Sequence, residues 1–471
     1  MEDTNLLAFQ AEASTQPEPR PSFRPLQTLV STESRQSRLI AGGLAVAFTI
    51  AYFWFLLQYW APAHNGVDQN GYLVGGRMLA AHGTTGFLPK PMEYIGDMWV
   101  LNDKTGYVYP KYPVGLPLLY AVCLWTFGSL GVKAAFLVSP IGAAMSVLGI
   151  YCLTRKFAGT FASLMAMLVL AFGQVMLVLA NNPNSHASCL AFGIWGMYFL
   201  VAFWESGSLW RGLAGGFCLG YAVTIRYTEG LNGLMIGVVV LSSIVYSYRR
   251  GYHRALAPVL GWLIPVGYLV GFNLVAMGTL TGYDTTNESE FGAAFTWPHI
   301  VENWDKTIRQ LHDLGLFFVL PLGLLGMGLA LKDSFRRGSM LWLWFIPGTL
   351  LYTSYYWAPE RGVSFLRFFL TLMPPIIVGV GVLIDHAIAA SLTRWQRFAA
   401  PAACGFVVAF ACVNSLYRGL LGIEEGQESG VGMESQFRQQ LNLAGLTGVV
   451  QQNVPNNSVL IAAGGMGRGA R

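Results

Sequence analysis

The sequence predicts an all-α polytopic membrane protein of about eleven transmembrane helices with a structured first outer loop. Three observations predict it. Of the 471 residues, 54% are hydrophobic and 11% charged, where a soluble domain is about one quarter charged. Long apolar runs recur from Leu39 to Tyr417, separated by short basic linkers. The 14 Trp suit the aromatic belts that sit at the two membrane–water interfaces. The net charge of +5 falls mostly in the linkers, so it speaks for topology and against a nucleic-acid surface.

Taken in order, residues 1–38 are polar and rich in Pro, Ser and Arg, which predicts a disordered cytoplasmic tail. Leu39–Trp60 is long enough to cross a bilayer and is expected to be an uncleaved anchor. A Gly- and Pro-rich polar stretch follows from Asp68 to Pro117, inside a first outer loop spanning 61–131. Later apolar runs are separated by basic linkers at Arg155–Lys156, Trp210–Arg211, Arg249–Arg254, Lys332–Arg337 and Arg394–Arg397. Short loops of this kind stay in the cytoplasm.

If all five linkers do so, the number of crossings between the first loop and Arg155 must be odd. Val132–Leu153 supplies one, so Pro113–Gly128, short and with two prolines, is expected to lie on or dip into the outer surface. The runs that follow alternate to a total of eleven crossings within 39–417. That topology gathers the first loop, Asn181–Ala187, Arg226–Glu229, the long loop 279–313 and Tyr355–Phe365 on one outer face. The polar tail 418–471 would also lie outside. Its last part predicts a turn and a strand with no partner, as at the start of a truncated soluble domain. All six cysteines lie in or beside apolar runs and are read as packing residues.

The order of motifs carries a resemblance. An acid soon after the first span, the aromatic–Pro cluster YPKYPVGLPLLY, the turn RYTEGL, the segment FNLVAMGTLTGYDT and the stretch LRFFLTLMPPII together resemble the GT-C superfamily of membrane glycosyltransferases. The likeness is to the bacterial branch related to protein O-mannosyltransferases and aminoarabinose transferases. The resemblance implies juxtamembrane helices in the first outer loop and an outward-facing site. It also implies inverting transfer of a sugar from a polyprenyl-phosphate donor to an acceptor whose identity the sequence does not give, at a bacterial inner membrane. Asp68 takes the place of the first-loop acid, as general base or, with a divalent metal ion, as ligand. Many relatives have two adjacent acids where this chain has Asp68–Gln69, and an acid in the second outer loop where it has Asn184–Ser185–His186.

The residues themselves fit that chemistry. Transfer with inversion needs a base for the acceptor hydroxyl and cations or donors for the departing phosphate. Asp68 is the candidate base, with helix capping as its alternative role. His186 is a candidate acid–base group, and Asp68 with His186 are the metal ligands if a metal is used. Arg226 and Arg367 end apolar spans on the outer side, against the charge bias, which points to phosphate binding; snorkelling is the alternative. Arg361, Tyr109, Lys111 and Tyr112 are further substrate-binding candidates. No HExxH, CxxC or strand-borne glycine-rich phosphate loop occurs. The competing reading is a transporter or flippase, which would show repeated halves with broken helices; no such repeat is visible.

Overall fold

The computed structural model describes residues 34–64, 66–89, 99–247, 252–282, 294–356, 362–391, 393, 395–424, 427–428 and 432–453. The predicted tail up to residue 33, Arg361 and the predicted strand after 453 lie outside them.

Helix α1 (Arg35–Leu57) starts where Ser34 caps it, its hydroxyl accepting from the Ser37 amide. The first loop then folds as α2 (Val67–His82), a short antiparallel hairpin of β1 (Trp99–Leu101) and β2 (Val108–Pro110), and α3 (Gly115–Phe127). A 3-10 turn at Gly128–Leu130 leads α3 into α4 (Gly131–Thr154), so Gly115–Thr154 is a helical stretch of 40 residues. α2 and α3 pack closely: a Cβ on Gly76 would lie 2.7 Å from Tyr120. These are two helices in the first loop, as the resemblance implied.

The rest is helical. It comprises α5 (Thr160–Ala171), α6 (Gln174–Ala180), α7 (Ser185–Ser206), α8 (Leu209–Ile225), α9 (Gly233–Ser247), α10 (Leu256–Met277) and α11 (Trp297–Gln310). After these come α12 (Val319–Asp333), α13 (Phe335–Thr353), α14 (Val363–Leu366), α15 (Met373–Ala389), α16 (Gln396–Leu421) and α17 (Met433–Asn453), with a two-residue hairpin, β3 (Ile423–Glu424) and β4 (Gln427–Glu428), before the last. This is an integral membrane protein, but the expected count of eleven spans is not reached. Among the described residues seven helices are long and apolar enough to cross, or nine if each of two bent pairs is one span. Every predicted run does contain a helix. The shortfall lies in α8, which has 17 residues, and α13, which opens on Arg336 and Arg337. The bends fall at Phe172–Gly173, 59° between α5 and α6, and before α12, 100° from the preceding helical segment Trp297–Leu316. At the second, Phe317 adopts φ 50°.

Lipid offers no hydrophobic drive between helices, so close backbone approach at small residues has to hold them. A Cβ on Gly326 of α12 would sit 1.8 Å from the Gly379 carbonyl oxygen of α15, and one on Gly216 of α8 would sit 1.9 Å from the Pro258 carbonyl oxygen of α10. The start of α7, the break after α8, the end of α13 and the stretch after α14 border one opening, which residues of α2 and of the turn after β2 also line.

Candidate active site

That opening is a cavity of about 590 Å³. α2 contributes Asp68 and Tyr72. The turn after β2 gives Lys111 and Tyr112, and the start of α7 gives Ser185 and His186. The break after α8 contributes Arg226 and Thr228, the end of α13 Tyr352, and the stretch after α14 Arg367 and Phe368.

Each is placed by its local sequence. Asp68 lies in the first turn of α2, where the helix dipole favours a carboxylate. Gly66 holds the N-cap position, so the capping alternative for Asp68 is not realised. Gly71 has no Cβ where one would meet the Tyr112 ring at 2.7 Å, so Tyr112 lies across α2, its ring centroid 4.3 Å from that of Tyr72. From there the Tyr112 hydroxyl donates to Asp68 Oδ1 at 2.7 Å. Arg367 Nη1 lies 3.2 Å from Asp68 Oδ2. Gln69 donates from Nε2 to Asn182 Oδ1 at 2.5 Å and ties α2 to the turn between α6 and α7. Burial, and then the charge of Asp68, push the Tyr112 phenol well above its ordinary pKa, so it stays a donor.

A second cluster lies deeper. Asn184 caps α7 by accepting from the Ser185 amide at 2.6 Å, which places His186 in the first turn. α8 ends at Arg226, whose backbone turns extended (φ −145°, ψ 119°). Its guanidinium reaches His186 Nδ1 at 3.0 Å and donates to the Tyr352 hydroxyl at 3.0 Å. It also stands over the Tyr352 and Phe368 rings, 5.5 and 5.6 Å from their centroids. A guanidinium only donates, so Nδ1 of His186 must accept and the imidazole is neutral. Thr228 Oγ1 and the Tyr352 hydroxyl are 2.7 Å apart.

Sequence reasoning left Glu229 and Tyr352 without roles. Glu229 is buried and accepts from Thr371 Oγ1 at 2.8 Å and Asn232 Nδ2 at 2.7 Å. An acid beside an arginine at the end of an apolar span was the available signal. Nothing in the sequence marked Tyr352.

The structure thus brings together Asp68, Lys111, Tyr112, His186, Arg226 and Arg367 in one cavity. Tyr109 is not among its lining residues. It is buried in β2, beneath Gly86, whose Cβ would meet its ring at 2.6 Å. The residues fit a divalent metal poorly. Both Asp68 oxygens face donors, the His186 lone pair faces Arg226, and no group of three His, Cys, Asp or Glu among the described residues could hold an ion.

Residues 111–276, about a third of the chain, match the profile of the dolichyl-phosphate-mannose-protein mannosyltransferase family. Apo ArnT from Cupriavidus metallidurans superposes with a TM-score of 0.51 at 16% identity, covering 89% of this chain and 73% of that one. The apo oligosaccharyltransferase of Archaeoglobus fulgidus superposes with a TM-score of 0.49 at 13% identity, over 89% of this chain and 58% of the other. The same organism's oligosaccharyltransferase AglB, in complex with an inhibitory peptide and a dolichol-phosphate, gives 0.48 at 12%, over 79% and 55%. No curated protein matches the chain. The chain therefore has the same fold as ArnT and carries, over residues 111–276, the sequence profile of the dolichyl-phosphate-mannose-protein mannosyltransferase family.

Proposed function

We propose that this protein is an inverting glycosyltransferase that moves a sugar from a polyprenyl-phosphate carrier to an acceptor at the outer face of a bacterial inner membrane. The observation that carries the reading is the cavity itself, where one half-buried carboxylate, Asp68, shares a chamber with the cations Arg226, Arg367 and Lys111. Asp68 takes the proton of the acceptor hydroxyl. The hydroxyl oxygen then attacks the anomeric carbon from the face opposite the phosphate. The carbon–oxygen bond to phosphate breaks, and polyprenyl phosphate leaves carrying the negative charge. Arg367, Arg226 and Lys111 stabilise that charge where water is scarce. Arg367 holds Asp68 before substrate enters, and a phosphate competes for the same guanidinium, which frees the carboxylate as the donor binds.

His186 acts here as a positioning residue, since its buried ring accepts from Arg226 at 3.0 Å. A transporter reading gives the Asp68 carboxylate and the paired arginines no task.

The test is transfer by the purified protein in lipid nanodiscs from a panel of radiolabelled polyprenyl-phosphate sugars, wild type beside Asp68→Asn, with and without chelator. Transfer, or slow donor hydrolysis, that vanishes in the variant while donor binding persists is the expected result. Donor binding and turnover equal in both proteins would overturn the base assignment, and no donor binding at all would overturn the transferase reading.

A further inference from the structure

α2 has two working faces. Asp68 and Tyr72, four residues apart, share the face that lines the active-site cavity. Asn70, Leu73, Val74 and Arg77 occupy the opposite face and line a second cavity of about 570 Å³. Its other walls come from the end of α1's connector, from α3, from the first turns of α4 and from α17. No residue that lines it is acidic.

Two permanent cations enter this chamber, Arg77 from α2 and Lys133 from α4. Neither makes an ion pair among the described residues. His64 adds an imidazole whose Nδ1 lies 3.2 Å from the Gly66 carbonyl oxygen, and burial lowers its pKa, so the charge comes from the other two. Between the cations the walls are apolar, including Leu73, Val74 and Val132. Positive charge without counter-charge, set beside apolar wall, matches an oxyanion attached to a hydrocarbon chain.

We propose that this chamber is a second anion site, which takes the phosphate of an anionic lipid headgroup on the side of α2 away from Asp68. Arg77 and Lys133 bind the phosphate oxygens, and the apolar walls take the first carbons of the lipid. Arg77 is nine residues along α2 from Asp68, roughly 13 Å of helix axis. A lipid held there is therefore a neighbour of the reacting centre and does not occupy it. The site stands whether or not the transfer reading does.

The probe is phosphatidylglycerol, added to the delipidated full-length protein and followed by native mass spectrometry, with phosphatidylcholine and inorganic phosphate as parallel arms. The compared proteins are wild type, R77Q, K133Q, the double variant, and a K104Q/R309Q control that removes two exposed cations elsewhere. Phosphatidylglycerol should bind the wild type, and its apparent Kd should weaken about tenfold or more for each cation removed, since one charge-assisted hydrogen bond is worth that much. The control and the phosphatidylcholine arm should not change between proteins. Inorganic phosphate binding as tightly as phosphatidylglycerol, and lost in the same variants, would keep the anion site and overturn the lipid as its source. Equal weakening in the control, or none in the double variant, would overturn the site. Both cations are exposed, so thermal unfolding of the variants should match the wild type, and donor binding at Asp68 should persist.

Discussion

The two halves of the active-site cavity are built on opposite principles. In the outer half, the Asp68 and Arg367 side chains are each 25% exposed and 3.2 Å apart. A pair so wet is worth about 1 kcal/mol or less, so an incoming phosphate can take Arg367 without unfolding anything. In the inner half, His186, Arg226, Glu229 and Tyr352 are all buried; Arg226 is hydrogen-bonded to His186 and to Tyr352 at 3.0 Å, and Glu229 accepts from Asn232 and Thr371 at 2.7 and 2.8 Å. Losing one member there leaves a partner desolvated and unsatisfied. The contrast teaches a division of labour. The outer half holds groups that must change partners during turnover, and the inner half holds groups that must not.

Substitutions can break that contrast. Asp68→Asn should lower transfer by about 10²–10⁴-fold, the range for a general base, with a thermal midpoint near wild type. Single-turnover assays in nanodiscs check the first and calorimetry the second. A loss of rate that came with a large loss of stability would move Asp68 into the structural half. Arg226→Gln should do the reverse in emphasis. It removes the donor that holds His186 and Tyr352 and leaves Glu229 facing no buried cation, at a cost of about 3 kcal/mol or more, seen as a lower unfolding midpoint along with lost turnover. Arg367→Gln should cost about 1 kcal/mol or less of stability and weaken donor binding by about tenfold, one charge-assisted contact. Equal destabilisation by the two arginine variants would erase the distinction.

How much of this was legible in the sequence follows the same line. Ionisable residues where charge is costly could be found: Arg226 and Arg367 stood out at the ends of apolar runs, and Asp68 and His186 in the loops beside them. The helices were legible because apolar length is a local property. The span count was not: α8 is short and α13 opens on two arginines, and the bends at Phe172–Gly173 and Phe317, which hydropathy does not record, break two further spans. Tyr109 and Tyr112 looked alike in YPKYP, yet only Tyr112 reaches the cavity. Tyr109 lies in the fully buried strand β2 against Gly86, while Gly71 opens a place for Tyr112 beyond the strand's end. Tyr352 was invisible because its role arises from Arg226, 126 residues earlier in the chain.

The finest test sits on the seam between the halves, at Tyr112. Its hydroxyl orients Asp68 from 2.7 Å, and burial together with that carboxylate raises its pKa. Tyr112→Phe keeps the ring on Tyr72 and removes one hydrogen bond to a charged group, which is worth about 1.5–3 kcal/mol when dry and less for a half-exposed acceptor. Turnover should fall by about five- to tenfold, the equivalent of roughly 1 kcal/mol, with donor binding kept. The sign with pH is also fixed. A phenol whose folded pKa lies above the unfolded value of about 10 contributes stability that is complete below pH 10 and is lost as pH rises beyond it. Wild type should therefore lose stability above about pH 10 faster than Tyr112→Phe, and the gap between their unfolding midpoints should narrow there. A gap that stayed constant through pH 11, with turnover unchanged, would mean that Tyr112 serves the cavity by its ring alone and that Asp68 is oriented by Arg367.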